Sequence, residues 1–209
     1  MLTAFCLAAT LSAVLAIAAD WNEQRHRAFY LLQPLTTLLI TGIALLGAPG
    51  EYRSLVIAAL LLSCAGDICL MFEGDRWFIG GLGSFLAAHI VFVVAYVAGL
   101  DQVAPPWWSA GFVIYGLAFF GWLLPRTGAL KLPVMVYGAA LMGMAITASA
   151  RWVNLHDTGA ALALAGAAIF VVSDSALAVR KFSGAYRYAQ PLILSTYWLA
   201  IGLIAVSAA

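Results

Sequence analysis

Residues 64–89 read CAGDICLMFEGDRWFIGGLGSFLAAH. Two apolar runs flank a short charged turn (Glu73, Asp75, Arg76), and each carries one ionisable residue, Asp67 in the first and His89 in the second. Four glycines (Gly74, Gly80, Gly81, Gly83) lie between them. No strand pattern precedes these glycines, so they read as small residues for close helix packing and not as a phosphate loop. The pattern is that of two helices crossing a membrane in opposite directions. An aspartate inside such a span costs about 2.5–3.5 kcal/mol on insertion scales, so its retention points to a task.

Working outward, the rest of the chain has the same character. It is 209 residues long, 65% hydrophobic and 9% charged, with a mean hydropathy of +1.01. Soluble domains carry about 25% charge, and no soluble core of this size hides so much apolar surface. A spanning helix takes roughly 20 apolar residues. The sequence therefore predicts an all-α polytopic membrane bundle of about eight transmembrane helices, forming a single integral-membrane domain over 1–209. A net charge of +1 gives no basis for nucleic-acid binding. Cys6, Cys64 and Cys69 all fall in apolar segments without CxxC spacing, which argues against disulfides and metal clusters.

The apolar runs predict spans over 3–19, 30–47, 53–72, 78–100, 107–124, 132–150, 158–179 and 189–207. The first is read as a retained span, because no Lys or Arg precedes it as a signal peptide requires. Gln33-Pro34 falls in the opening turns of the second, where proline costs least. Trp107-Trp108 follows Pro105-Pro106 and anchors the fifth span at the interface. Eight of the ten Lys and Arg residues lie in loops 1, 3, 5 and 7 (Arg25, Arg27, Arg76, Arg126, Lys131, Arg180, Lys181, Arg187), against Arg53 and Arg151 in loops 2 and 6. The positive-inside rule then puts the odd loops in the cytoplasm and both termini outside, in a multi-pass cell (inner) membrane protein. With that orientation Asp67 lies about 9 Å above the cytoplasmic end of its span, at 1.5 Å per residue. Asp174 falls at similar depth above Arg180. Gln33, Thr36, Thr37, Ser84, His89, Tyr137, Ser195, Thr196 and Tyr197 occupy the early or middle turns of the spans that rise from the cytoplasm. The polar residues thus gather in one half of the membrane.

Asp67 and Asp174 are the strongest candidates for catalysis. A buried carboxyl pair can divide the work, one member holding a proton while the other is charged. The competing reading is structural, with each carboxyl satisfied by an Arg, a Tyr or a helix N-terminus. His89 is a candidate proton carrier, orienting partner or metal ligand, against a core histidine bonded to a carbonyl. Tyr137, Tyr197, Ser84, Gln33 and Ser173 are candidates for orienting the carboxyls or binding substrate. Ser173 and Ser195 lack the GxSxG context of a nucleophile and read better as hydroxyls bonded within the bundle. His26 and His156 fall in loops on opposite sides of the membrane, and no HxxxH, HExxH or Cys/His pair exists, so no metal site is expected. Arg180, Lys181 and Arg187 fit the positive-inside bias and could hold a lipid phosphate at the cytoplasmic surface. Gly66-Asp67-x-x-Leu70 is echoed by Ser173-Asp174-x-x-Leu177, and Pro34 by Pro133, as two parallel four-helix halves would give.

The run Gly66-Asp67-x-x-Leu70-Met71-Phe72, followed by Phe78-x-x-Gly81-x-x-x-Phe85-x-x-x-His89, resembles the YhhN family of eight-span membrane proteins, and Ser173-Asp174-x-x-Leu177-Ala178 resembles its second motif. The resemblance covers essentially the whole chain. It departs at Gln33, where family members often carry Lys, so no role for a cation is carried over to that position. The resemblance implies a lysoplasmalogenase-like hydrolase that cleaves the vinyl ether of a lysophospholipid to a fatty aldehyde and a glycerophospho-ethanolamine or -choline. It implies a substrate drawn from membrane lipids, no cofactor, and Asp67 and Asp174 as the acid–base pair. A vinyl ether hydrolyses by protonation at carbon and capture of the oxocarbenium ion by water, which suits two carboxyls. The alternatives are a proton-coupled transporter, since buried Asp and His also build proton relays, and a non-catalytic lipid-binding membrane protein.

Overall fold

The computed structural model describes residues 1–21 and 26–209, so Arg25 lies outside the described residues. Among the described residues there are eight α-helices and no strand: α1 (Leu2–Ala19), α2 (Arg27–Ala44), α3 (Glu51–Leu70), α4 (Asp75–Val97), α5 (Ala110–Leu123), α6 (Lys131–Leu155), α7 (Thr158–Ser183) and α8 (Ala189–Val206). Seven of them are long and apolar enough to cross a membrane, α5 together with its flanking 3-10 turns. The eighth, α2, has its hydropathy lowered by Gln33, Thr36, Thr37 and Thr41. All four are buried, so the polar groups face neighbouring helices and not lipid. Lipid-facing positions elsewhere are apolar, as at Leu7, Leu11, Leu31, Ile114 and Leu117.

Short connections make sequential helices pack antiparallel, most closely α1 with α2, α3 with α4, and α7 with α8. The first four and last four helices meet where α4 packs on α6 and α2 on α8. Helix α5 is peripheral and rests mainly on α6. Lipid tails are as apolar as leucine, so close approach of backbones is what holds such helices together. A Cβ on Gly166 of α7 would stand 2.7 Å from the Ala200 carbonyl oxygen of α8. One on Gly66 of α3 would stand 2.6 Å from the Phe85 ring of α4, and one on Gly81 of α4 2.6 Å from Leu70. Of the glycines between Asp67 and His89, Gly80 and Gly81 pack on α3, a Cβ on Gly83 would meet nothing within 4 Å, and Gly74 serves the connection. Its φ of +111° makes the turn that starts α4.

Several helix ends differ from the predicted spans. Helix α6 runs on to Leu155, so Arg151 is helical and not in a loop. Its guanidinium donates to the Ala98 carbonyl at 3.1 Å and stacks 3.9 Å over the Tyr52 ring. Arg53, inside α3, donates to the Gly47 carbonyl after α2. Both arginines of the sparsely charged side thus satisfy carbonyls at helix C-termini, which attract cations. Asp75 and Arg76 form the first turn of α4, and Arg180 and Lys181 belong to α7. Pro34 stands about two turns inside α2, deeper than expected. Helix α3 ends about one turn beyond Asp67, whereas α7 continues more than two turns past Asp174.

Candidate active site

Asp67 is held where α2, α3 and α8 meet. Its Oδ2 accepts hydrogen bonds from Thr37 Oγ1 at 2.6 Å and from Tyr197 Oη at 2.8 Å, and Gln33 hydrogen-bonds the same carboxyl. Gln33 and Thr37 are four residues apart and so present one face of α2 to α3. Thr37 Oγ1 in turn accepts from Trp198 Nε1 at 3.3 Å. The carboxyl group is buried, which opposes a negative charge, and three donors surround it, which favour one.

Asp174 is placed by α7 against α6 and α4. Its Oδ2 accepts a hydrogen bond from Tyr137 Oη. His89 Nε2 stands 3.8 Å from the same oxygen, beyond hydrogen-bond distance. The His89 ring is fully buried between Tyr137 and Phe170, with centroids 5.1 Å and 4.8 Å away. Neither of its ring nitrogens has a hydrogen-bond partner among the described residues.

One cavity of about 330 Å³ reaches both carboxyls. Gln33, Asp67, Ser173, Asp174 and Tyr197 line its wall together with Phe78, Phe85 and Leu177. Glu73, Arg180, Lys181 and Gln190 line its mouth. There Arg180 donates to Gln190 Oε1, and the Lys181 ammonium lies 3.6 Å from Asp75 and 4.4 Å over the Phe78 ring. A narrower apolar furrow adjoins the cavity and shares Leu70, Phe78, Phe85, Asp174 and Leu177 with it. The furrow continues between α5, α6 and α7 along Phe119, Phe120, Tyr137 and Leu141. Tyr115 Oη reaches across it to Ser175 Oγ at 2.7 Å.

The predicted site residues divide into three groups. Asp67, Asp174, Gln33, Ser173 and Tyr197 share the cavity. Tyr137 lines the furrow and His89 stands behind Asp174, lining neither space. Ser84 reaches neither carboxyl: its hydroxyl donates to the Leu62 carbonyl at 2.7 Å and ties α4 to α3. Ser173 likewise gives its proton to the Ile193 carbonyl at 3.0 Å, leaving it a structural hydroxyl on the cavity wall. Thr37, Trp198 and Gln190 were not singled out as site residues. Gln190 had a signal, because Gln190-Pro191 opens α8 and repeats the Gln33-Pro34 of α2. Among the described residues no three His, Cys, Asp or Glu side chains converge as a ligand set. What converges is a pair of carboxyls, a charged rim that carries Arg180 and Lys181 beside Glu73, and an apolar furrow.

The fold and this site define a polytopic membrane protein with two carboxyls lining one cavity. The chain belongs to the YhhN family, whose sequence profile matches residues 28–208. It is 31% identical to lysoplasmalogenase TMEM86A of Bos taurus over 182 residues, 82% of this chain and 71% of that protein. It is 31% identical to lysoplasmalogenase TMEM86B of Homo sapiens over 179 residues, 85% of this chain and 74% of that protein. A lysoplasmalogenase of Mycobacterium tuberculosis is 32% identical over 152 residues, 69% of this chain and 56% of its own length. No solved structure matches the chain.

Proposed function

We propose that this protein hydrolyses the vinyl ether of a lysophospholipid, releasing a fatty aldehyde and a glycerophospho-ethanolamine or -choline. The observation that carries the reading is the junction at Asp174. There a polar cavity, with Arg180 and Lys181 beside Glu73 at its mouth, meets an apolar furrow, and Asp67 lies on the same cavity wall. A single-chain lipid has that order of parts. Its phosphate pairs with Arg180 and Lys181, its glycerol lies by the carboxyls, and its alkenyl chain follows the furrow and leaves between α5 and α7 into the bilayer. The names of the relatives support the same chemistry.

The two carboxyls take different parts. Asp67, with three donors, is the charged partner; Asp174, with Tyr137 alone as donor, is the acid. The Asp174 proton goes to the outer carbon of the double bond, and the positive charge develops on the carbon joined to oxygen. Negative charge at Asp67, held in place before the reaction, stabilises that oxocarbenium ion. Water attacks the cationic carbon as Asp67 takes its proton. The hemiacetal then loses its hydroxyl proton to Asp174 while Asp67 protonates the departing glycerol oxygen, and the carbon–oxygen bond breaks. Both carboxyls return to their starting states. Tyr137, packed against the His89 ring, orients Asp174, and Thr37, Tyr197 and Gln33 orient Asp67. The mouth of the cavity faces the cytoplasm and both termini lie outside, as the excess of basic residues in the odd loops favours.

The test is fatty-aldehyde release from a lysoplasmalogen by the purified wild type, Asp67→Asn and Asp174→Asn, each with and without EDTA. Release by the wild type alone, unchanged by EDTA, is the expected result. A well-folded wild type that releases no aldehyde removes the substrate. Release by both variants removes the carboxyl mechanism.

A further inference from the structure

Gln33, one of the residues that line the cavity, carries a polar atom that the protein leaves unused. Gln33 is 95% buried by its 5% exposure, lines the cavity, and hydrogen-bonds the Asp67 carboxyl, yet its Oε1 has no hydrogen-bond partner among the described residues. A carboxylate accepts only, so the amide must turn its NH2 toward Asp67 and its oxygen away. The orientation is thus fixed by the neighbour. A buried acceptor without a donor is costly unless a ligand supplies one. Such an acceptor suits a hydroxyl or ammonium donor, and it belongs to the side chain that also bonds Asp67.

We propose that Gln33 Oε1 accepts the free hydroxyl at the middle carbon of the substrate's glycerol, and so is the residue that reads a single-chain lipid. This rests on the vinyl ether reading of the site. The middle hydroxyl is the donor that ethanolamine and choline lipids have in common, whereas a choline headgroup offers none. It sits on the carbon next to the one that bears the vinyl ether oxygen. A hydroxyl anchored at Gln33 therefore brings the reacting carbons to Asp67, which the same amide holds from its other end. Acylation of that hydroxyl removes the donor and adds a second chain to a cavity of about 330 Å³. Discrimination arises because a substrate without the hydroxyl leaves a buried acceptor unpaired, which is how polar sites reject analogues most strongly.

The experiment pairs two substrates with two enzymes. The substrates are a lysoplasmalogen and its analogue with hydrogen in place of the middle hydroxyl; the enzymes are the wild type and Gln33→Met. The wild type is expected to favour the hydroxyl compound in kcat/KM by roughly ten- to hundredfold, the effect of leaving one buried acceptor unpaired. Gln33→Met is slower on both, because Asp67 loses a donor, but its preference falls to about unity. An unchanged preference in Gln33→Met overturns the assignment, and so does a wild type without preference. A parallel measurement uses saturated alkyl-ether lysolipids, which the enzyme cannot cleave, with and without the hydroxyl, bound to both proteins in nanodiscs. If binding shows the Gln33-dependent preference while no protein releases aldehyde, the hydroxyl site stands and the vinyl ether reading falls. If aldehyde is released and neither measurement depends on Gln33, the reverse holds.

Discussion

Replacing Tyr197 by Phe removes one oxygen from the site and little else. The ring packs edge-on against Phe85 and Phe170, at centroid distances of 5.7 Å and 5.6 Å, and a phenylalanine keeps both contacts. What is lost is the hydrogen bond of 2.8 Å to Asp67 Oδ2. A hydrogen bond to a charged group is worth about 1.5–3 kcal/mol. Each 1.36 kcal/mol of barrier is tenfold in rate, so kcat for aldehyde release should fall about ten- to hundredfold. Thr37→Val removes the 2.6 Å bond to the same oxygen, and it also strands the Trp198 N–H that Thr37 accepts. Two donors on one oxygen cannot act independently, so the double variant should depart from the sum of the singles by about 0.5–3 kcal/mol. The assay is continuous oxidation of the released aldehyde by a coupled dehydrogenase, with thermal unfolding followed in parallel to show that the variants fold. Wild-type kcat in folded Tyr197→Phe refutes the role given to Asp67. Strict additivity with Thr37→Val refutes the claim that both donors act through one carboxyl oxygen.

Two further outcomes follow from packing and charge. A Cβ at Gly138 would stand 1.7 Å from the tip of the Phe120 ring, the contact that seats α5 on α6. Gly138→Ala should therefore cost about 1–3 kcal/mol of stability as an overpacked interface, read as a lowered unfolding temperature in detergent, and an unchanged temperature refutes the packing. Alkaline phosphatase fused after Ala209 should be active and a green fluorescent protein at the same position dark; the opposite pair of signals overturns the orientation.

The helices were legible because a span must be apolar along its length and the loops here are short. Their ends were not, because a charge beside a membrane reads as a loop whatever it touches. Arg151 looked like a loop residue, yet it lies on α6 and satisfies carbonyls at the end of α4. Arg180 and Lys181 looked like ordinary positive-inside charges, but they continue α7 along the mouth of the cavity. Asp67 and Asp174 stood out because a carboxyl in a span is expensive. Trp198 and Gln190 did not, because a Trp in mid-span or a Gln in the first turn of a helix carries no such cost, and only the packing of α8 turns them toward α2 and α7. Ser84 shows the converse. A hydroxyl in a rising span is as apt to bond a neighbouring backbone as to reach a site, and here it bonds Leu62.

The pairing around the two carboxyls bears on why there is one cavity and not two. Asp67 on α3 is met by Thr37 from the helix before it, α2, and by Tyr197 from α8, the fourth helix of the other half. Asp174 on α7 is met by Tyr137 from the helix before it, α6, and approached by His89 from α4, again the fourth helix of the other half. Exchanging α1–α4 with α5–α8 maps one set onto the other, and it maps the α2–α8 contact onto α4–α6. We propose on this basis that the chain is a duplicated four-helix unit, with Pro34 and Pro133 in corresponding helices. If each fourth helix served the carboxyl of its own half, the two sites would stand apart. Because each crosses to the other half, both carboxyls are drawn to the seam between the halves, where one substrate can touch both. Divergence at the seam then has a chemical meaning. Gln33, Thr37 and Tyr197 surround Asp67 with donors, whereas Tyr137 alone donates to Asp174, and the proposed roles of charged partner and acid rest on that asymmetry.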